Sequence, residues 1–360
     1  MGYVAIRGGE NAIEEATTAQ AALRGGDAAP LETSQVIGQL RFLNDRVMSE
    51  GGAYAPELAA LAIKQASGDP LEAAFLLRAW RSTQARLGDL PVQDTTAMRV
   101  IRRISAAFKE IPGGQVLGPC NDYAHRLFKR ELLDESPEAF AAATRGWFKG
   151  AAPENLTFPK VLKHLRDEGL LPPLTGQQSR PFDITREPLR FPASRDAALT
   201  TMARGETGGL LAIAYSNMRG YGDIHPTVGE LRYGWLPVTA PHPVTGEPVE
   251  AGEVAMTEIE VVSMFARDDG GEPVFGLGYG ACVGHNEVKA IAMAVLDQAL
   301  QRGSKHGPGN PSEDAEFVLL HIDGVDSMGF CTHYKMPHYV TFMADMDRLR
   351  RARAPQESTT

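Results

Sequence analysis

The sequence of apolar and polar residues over the first 150 positions predicts mostly helical structure. Residues 57–66 and 71–80 consist largely of strong helix formers. Between them, Asp69 is placed to cap a helix and Pro70 to occupy its first turn. We therefore predict a helical hairpin here, and a further helix over residues 95–109.

The second half of the chain alternates between strand-like and helix-like patterns. Stretches rich in β-branched or apolar residues predict strands over 210–215, 258–266, 274–278 and 316–322, and a short strand over 3–7. Residues 287–302 carry a continuous apolar stripe at helical spacing, with Asn286 able to cap its start and Gly303 its end. A last helix is predicted after Val340, carrying residues 343–353.

These elements together predict an α+β fold, in which a mainly helical N-terminal part precedes a mixed or antiparallel sheet with packed helices. We expect a mostly helical domain over 1–150 and a proline-rich connection over 151–195, with a short helix over 160–168 inside it. A mixed α/β domain with the candidate metal and substrate sites is expected over 196–353. A frayed tail should follow over 354–360.

The charge balance restricts the class of ligand. The 360 residues include 36 Lys and Arg against 45 Asp and Glu, a formal net charge of −9. Such a chain does not suit sequence-independent nucleic-acid binding, which needs a basic surface to neutralise phosphates. A phosphorylated ligand must instead meet local clusters of basic residues.

The cysteine pattern and the absence of long apolar runs indicate in which cellular compartment the protein is expected. Cys120, Cys282 and Cys331 lie far apart, and there is no C-x-x-C pair, as is usual in a reducing environment. No apolar run approaches the roughly 18 residues of a membrane span, and no secretory signal precedes the first helix. We expect a cytoplasmic protein without a membrane partner.

Several common catalytic motifs are absent: the P-loop, H-E-x-x-H and G-x-S-x-G. Residues 276–281 match the G-x-G-x-x-A pattern of dinucleotide-binding loops. However, the next helix begins only near Glu287, and Asp297 lies inside that helix rather than at the end of a strand. A glycine-lined turn that passes close to a neighbouring backbone is the favoured interpretation.

The candidate metal site is Cys331-Thr-His333-Tyr-Lys-Met-Pro-His338. Four residues separate the histidines, a spacing common in zinc ligand pairs. Pro337 prevents a regular helix between them, so a turn must bring the two imidazoles to one ion. Catalytic zinc generally has three protein ligands, and this segment offers two or three, so a further ligand could come from elsewhere. The alternative is a pair of packed or exposed histidines near a turn.

Glu258 and Glu260 are two positions apart on a predicted strand. Their carboxylates therefore project from one face, about 6.6 Å apart along the chain. Such a pair could hold Mg²⁺ or stabilise a developing cation, and a solvated strand face explains the spacing equally well.

Two arginine groups are candidate phosphate binders. Arg99, Arg102 and Arg103 fall close together on the helix predicted over 95–109, and a second group of arginines, which includes Arg195, surrounds the proline-rich connection. A surface charge network or a docking surface for an acidic partner explains either group as well.

The segment 216–235 is predicted to be a loop dense in polar and aromatic residues. Its candidate functional residues are Asn217, Arg219, His225, Glu230 and Arg232. The glycines among them would let a ligand approach the backbone closely, and an ordered interface loop would look similar.

The chain resembles the I subunit of the bacterial carbon–phosphorus lyase core complex. The matching stretches are 3–10, 57–66, 102–105, 112–119, 216–235 and 329–338. The resemblance extends from the first residues to about residue 345.

The resemblance implies a subunit of a phosphonate ribosyl triphosphate synthase. With its companion subunits, such an enzyme displaces adenine from ATP with an alkylphosphonate such as methylphosphonate. Alone, the I subunit is associated with release of the base from purine nucleoside triphosphates. The resemblance also implies that His333 and His338 ligate Zn²⁺ at the boundary with a radical S-adenosylmethionine subunit, and we expect Mg²⁺ to enter with ATP.

The chemistry suggests roles for the candidate residues. Cleavage of an N-glycosidic bond builds positive charge on the ribose, which a carboxylate can stabilise while an acid protonates the purine. Glu230 or Glu260 is predicted to face the cation and His225 to donate the proton. Arg219 and Arg232 are predicted to hold anionic groups.

Two other functions fit the same residues. One is an assembly subunit without chemistry of its own, in which zinc joins two chains. The other is a self-contained zinc hydrolase, which requires a complete ligand set within this chain.

Overall fold

The fold is known from a computed structural model, which describes residues 9–27, 29–147, 157–172, 181–221, 225–268 and 270–354. Within these residues thirteen α-helices accompany one four-stranded antiparallel sheet, which confirms the α+β prediction. The strand predicted over 3–7 lies outside the described residues. The domain boundaries stay predictions.

The helices are distributed along the whole described chain. Their bounds are α1 (Glu10–Ala22), α2 (Thr33–Gln39), α3 (Arg41–Gly51), α4 (Pro56–Gln65), α5 (Pro70–Ser82), α6 (Pro137–Trp147), α7 (Lys163–Asp167), α8 (Arg195–Arg204), α9 (Thr207–Ser216), α10 (Glu287–His306), α11 (Ala315–His321), α12 (Gly324–Tyr334) and α13 (Tyr339–Arg353). None of the described helices combines the length and the apolar character that crossing a membrane requires.

The sheet follows the order of its strands in the chain. It contains β1 (Arg99–Ile104), β2 (Thr227–Pro241), β3 (Pro248–Arg267) and β4 (Pro273–Val283), each antiparallel to its neighbour. The predicted strands over 258–266 and 274–278 are confirmed within β3 and β4. Strand β1 comes from the N-terminal part, which therefore contributes one edge of the sheet.

The predicted helical hairpin is confirmed as α4 and α5. Asp69 caps α5 by accepting a hydrogen bond from the backbone N–H of Glu72, and Pro70 is its first residue. With α2 and α3, these helices enclose an apolar core that includes Val36, Val47 and Ile63. Burial of these apolar side chains stabilises the helical N-terminal part.

Helix α10 packs directly on the backbone of β4. A Cβ atom added at Gly278 would lie 2.2 Å from the carbonyl oxygen of Ala294, and one at Gly280 would lie 2.1 Å from that of Ala290. Any side chain at either position would push the helix away. The glycines of the G-x-G-x-x-A match therefore lie on a strand and allow a close helix contact, and they form no dinucleotide loop.

Three elements differ from their predictions. Residues 95–109 contain a short 3₁₀ turn and β1 instead of a helix. The strands predicted over 210–215 and 316–322 are helices α9 and α11. Side-chain caps explain both helices, because Glu206 and Asp314 accept hydrogen bonds from the first free backbone N–H groups.

The predicted loop over 216–235 is wrong for its second half. A π-helical turn covers Asn217–Tyr221, and β2 begins at Thr227. The helix predicted over 287–302 is confirmed, with Asn286 as its N-cap, but it continues to His306. Gly303 does not end it: a Cβ there would lie 1.9 Å from the carbonyl oxygen of Glu313, so close packing explains this glycine.

Candidate functional site

A row of charged side chains covers the face of the sheet opposite α10. The antiparallel register pairs Glu230 with Glu260, Arg232 with Glu258, and Arg103 with Arg232. Residues that pair across neighbouring strands project to the same face. All five are at most 6% exposed. The solvated strand face considered for Glu258 and Glu260 is therefore wrong.

Glu230 uses both carboxylate oxygens in structural contacts. One accepts a hydrogen bond from Nε of Arg103 at 2.7 Å, and the other accepts one from the backbone N–H of Val161 at 2.9 Å. Arg103 donates further hydrogen bonds to the carbonyl oxygens of Pro112, Gly114 and Pro159. This buried ion pair therefore holds Pro159 and Val161, which precede α7, against the sheet.

Glu258 is surrounded by donors. Its Oε1 accepts hydrogen bonds from Lys160 (2.6 Å), Thr95 (2.8 Å) and the Tyr279 hydroxyl (2.9 Å), and its Oε2 accepts one from Arg232 (2.8 Å). Burial acts to raise the pKa of Glu258, but the charges of Lys160 and Arg232 outweigh it and lower the pKa to about 2. Glu258 is therefore a permanent anion.

Tyr279 remains a neutral hydrogen-bond donor. Burial and the negative charge of Glu258 raise the pKa of its phenol well above the ordinary value. Its hydroxyl thus contributes a proton-bearing group next to Glu258 at neutral pH.

Glu260 differs from the other two glutamates because one of its oxygens is unused. Its Oε1 is ion-paired with a terminal nitrogen of Arg166. Its Oε2 is buried and has no hydrogen-bond partner among the described residues. A buried, unpaired carboxylate oxygen is costly unless a ligand satisfies it.

A cavity of about 1030 Å³ opens over this part of the sheet. Glu258, Glu260 and Tyr279 form its floor. Its walls include Val92, Thr95, Phe158, Lys160, Lys163, Arg166, Arg195, Leu199 and Leu277. The volume and the mixture of apolar and charged walls suit a ligand of nucleotide size.

Arg195 is held rigidly at the edge of this cavity. Its Nε and Nη2 atoms donate to the two oxygens of Asp297 at 2.9 and 2.7 Å. Asp297 also accepts the backbone N–H of Tyr279 at 2.9 Å. Helix α10 therefore positions groups that belong to the opposite face of the sheet.

The remaining sequence-predicted site residues are not part of the cavity lining. Arg232 is buried behind Glu258 as its ion-pair partner. Arg219 is exposed on the π-helical turn, and His225 is exposed just before β2. Glu258 and Glu260 both line the cavity. The roles of Arg219, His225, Glu230 and Arg232 stay predictions.

Sequence reasoning missed Lys160, Arg166 and Tyr279. The two cations lie about 100 positions before the glutamates that they contact. The only available signal was a basic segment in the proline-rich connection, Lys160 to Arg166, which pattern analysis cannot assign to one face of a distant sheet.

The two late histidines meet across the turn between α12 and α13. Their Nε2 atoms are 3.3 Å apart, and the rings are nearly perpendicular. His333 lies in the last turn of α12, and His338 directly precedes α13. The turn expected from Pro337 thus brings the imidazoles together.

The geometry of this histidine pair fits two ligands of one zinc ion. Two nitrogens about 2.05 Å from a tetrahedral zinc ion lie about 3.3 Å apart. Nδ1 of His338 is 2.5 Å from the carbonyl oxygen of Met336. Because a carbonyl only accepts, Nδ1 carries the proton and Nε2 presents its lone pair to a metal.

The ligand set is incomplete within the described part of the chain. There, no group of three or more His, Cys, Asp or Glu side chains could hold a metal ion. Cys331 is exposed on α12 and does not complete such a set. A self-contained catalytic zinc site therefore has no support in the described residues.

Exposed apolar side chains neighbour the histidine pair in the sequence. They are Phe330, Tyr334, Met336, Tyr339 and Phe342, each at least half exposed. Helix α13 has no buried residue. Such a concentration of exposed apolar groups is typical of a protein-interaction surface.

Comparison with known proteins provides independent evidence of ancestry. The family model described as bacterial phosphonate metabolism protein (PhnI) matches residues 2–356. A putative C-P lyase subunit protein, HtxH, of Stutzerimonas stutzeri is 66% identical over 97% of this chain and 95% of its own length. The alpha-D-ribose 1-methylphosphonate 5-triphosphate synthase subunit PhnI of Escherichia coli (strain K12) is 46% identical over 98% of this chain and 99% of its own. The subunit with the same description in Rhizobium meliloti (strain 1021) is 41% identical over 99% and 96%. The chain therefore belongs to the PhnI family of bacterial phosphonate metabolism proteins.

Proposed function

We propose that this chain is a catalytic subunit of an alkylphosphonate ribosyl triphosphate synthase, which displaces adenine from ATP with an alkylphosphonate such as methylphosphonate. Alone, it would release the base from purine nucleoside triphosphates, with water in place of the phosphonate forming the new bond to C1′ of the ribose. The descriptions of the Escherichia coli and Rhizobium relatives support the synthase assignment. The observation that supports a catalytic role is the unpaired, buried Oε2 of Glu260 in a cavity of nucleotide size.

In this reaction the bond between C1′ of the ribose and N9 of adenine breaks. The bonding electrons leave with the purine, which takes up a proton. A phosphonate oxygen then forms the new bond to C1′, and it needs no base because it is already anionic. Positive charge develops on the ribose between these events, and a carboxylate that faces C1′ stabilises it.

Glu260 is better placed for this task than Glu230. The oxygens of Glu230 accept from Arg103 and Val161, and those of Glu258 accept from four donors, so neither carboxylate has an oxygen that lacks a hydrogen-bond donor. Glu260 has one. His225 is kept as the proposed proton donor and Arg219 as a proposed anion contact, from the sequence alone.

We also propose that His333 and His338 hold a zinc ion shared with a partner subunit of the same complex, the radical S-adenosylmethionine subunit. Zinc would act there as a Lewis acid or as a link between the chains. The 3.3 Å separation of the Nε2 atoms and the exposed apolar residues near them in the sequence support a shared site. Mg²⁺ would arrive with the triphosphate of ATP.

The alternative is an assembly subunit in which this zinc is purely structural. The incomplete ligand set and the exposed surface of α12 and α13 favour it as strongly as they favour a shared catalytic site. The two functions differ in whether this chain itself acts on ATP. Both are consistent with a cytoplasmic location and with the absence of nucleic-acid or membrane partners, which remain proposals.

Adenine release distinguishes these functions. The purified chain is incubated with ATP and Mg²⁺, with and without its companion subunits and methylphosphonate, and free adenine is measured by chromatography. We expect the chain alone to release adenine and the full set to form the ribosyl phosphonate. A chain that assembles stably but never releases adenine would support the assembly role.

Replacing His333 by alanine is expected to abolish zinc in the assembled complex. Removing one of two imidazole ligands should weaken zinc binding by at least about 100-fold, since even outer-shell partners contribute 10- to 100-fold. Metal analysis of the purified complex measures this effect directly.

His321→Ala is the matched control. His321 also places its Nδ1 next to a backbone carbonyl, that of Phe317, but it lies on α11 outside the histidine pair. Undiminished zinc in the His333 variant would contradict the proposed site.

A further inference from the structure

Arg166 and Arg195 line the same cavity but are held very differently. Arg195 is locked by two parallel hydrogen bonds to Asp297. Arg166 contacts Glu260 through one terminal nitrogen, and its Nε is buried without a hydrogen-bond partner among the described residues. Arg166 therefore retains donors for a further acceptor, whereas Arg195 is fixed.

The ion pair between Arg166 and Glu260 conflicts with the proposed task of Glu260. A carboxylate whose charge is balanced by a guanidinium stabilises a developing cation less than a free carboxylate does. Full stabilisation of the ribosyl cation requires that the Arg166 charge be drawn to another anion.

The triphosphate of the nucleotide is such an anion. Arg166 and Lys163 lie three positions apart on α7, so their side chains are neighbours on one side of the helix and both line the cavity. Lys160 lies on the preceding segment and also lines it. Guanidinium groups bind phosphate oxygens in a forked arrangement, which would use the donors that Glu260 leaves free.

We propose that Arg166 makes this cavity selective for phosphorylated nucleosides, by exchanging its contact with Glu260 for a contact with the substrate phosphates. The exchange frees the Glu260 carboxylate when a phosphorylated nucleoside is bound. An unphosphorylated nucleoside leaves the ion pair intact. The identity of the substrate in this proposal rests on the proposed function. The new claim is that Arg166 determines the specificity of the cavity.

Arg166→Gln tests this selectivity. Binding of ATP and of adenosine to the full chain is measured by calorimetry in the presence of Mg²⁺. We expect the variant to bind ATP about 10- to 100-fold more weakly, the loss expected for one charge-assisted contact, with little change for adenosine. In the adenine-release assay, the ratio of kcat/KM for ATP to that for adenosine should fall by a similar factor.

Arg302→Gln is the matched control. Arg302 is also half-buried and pairs through its Nε with a single glutamate, Glu313, at 3.1 Å, but it is not part of the cavity lining. We expect its ATP-to-adenosine ratio to equal that of the wild type. Circular dichroism of both variants verifies the fold.

The outcomes separate the two proposals. Equal losses for ATP and adenosine in Arg166→Gln would show a merely structural role and overturn the inference, as would a wild-type chain without preference for ATP. A wild-type chain that binds ATP selectively through Arg166 but never releases adenine would overturn the proposed function and leave the inference standing.

Discussion

Glu260→Gln is expected to lower adenine release from ATP by about 100- to 1000-fold, the range for loss of one preorganised charge contact to a transition state. Glutamine keeps the size of the side chain but removes the negative charge that faces the ribosyl cation. Because the stabilisation by Glu260 belongs to the transition state, we expect kcat to fall without a loss of ATP affinity. Steady-state kinetics with free adenine as the measured product give both quantities.

Glu250→Gln provides the control on the same strand. Glu250 lies near the start of β3 and is exposed, so this variant should retain wild-type kinetics. Adenine release by Glu260→Gln at the wild-type rate would remove Glu260 from the catalytic proposal.

Arg103→Met is expected to lower the free energy of unfolding by about 3–5 kcal/mol, as is usual when one partner of a buried ion pair is removed. Arg103 is 0% exposed, and Glu230 is 2% exposed. The substitution leaves the Glu230 charge buried beside one remaining backbone donor, and it also removes the donors to three carbonyl oxygens. Urea unfolding followed by circular dichroism measures the change.

Arg99→Met is the matched comparison, since Arg99 lies on the same strand and is also ion-paired. Its pair with Glu253 is at the surface, where such pairs contribute only about 0–1 kcal/mol. If the two variants unfolded at the same urea concentration, the buried pair would have no special role in holding the 157–161 segment on the sheet.

Elements whose signals are local were predictable from the sequence. The α4–α5 hairpin and the start of α10 have capping residues within four positions of the backbone groups that they satisfy. The common face of Glu258 and Glu260 follows from the two-residue period of a strand. The meeting of His333 and His338 follows from a proline that interrupts a helix.

Elements that depend on distant partners were not predictable in the same way. Strand β1 contains arginines that suit a helix, but Arg103 is buried because Glu230, 127 positions later, neutralises it. The apolar runs of α9 and α11 favour strands in the sequence because they are short, and a short apolar run does not distinguish a buried helix from a strand.

The cavity was the part of the structure that the sequence predicted least. Its floor comes from β3 and β4, and its walls come from residues 92–96, the proline-rich connection and α8. Patterns along the chain show which residues share one element, but not which elements face each other. The free oxygen of Glu260 emerges only when the donors to all three glutamates are known.

The contact between α10 and β4 has a consequence for substrate range. Because backbone atoms touch at Gly278 and Gly280, no rotamer change can widen the gap between the helix and the strand. The floor of the cavity is thus rigid. If the proposed reaction takes place in this cavity, we expect bulkier organic groups on the phosphonate to be accommodated by displacement of one wall, residues 157–167. Variants that broaden the accepted phosphonates should therefore map to that segment and not to α10.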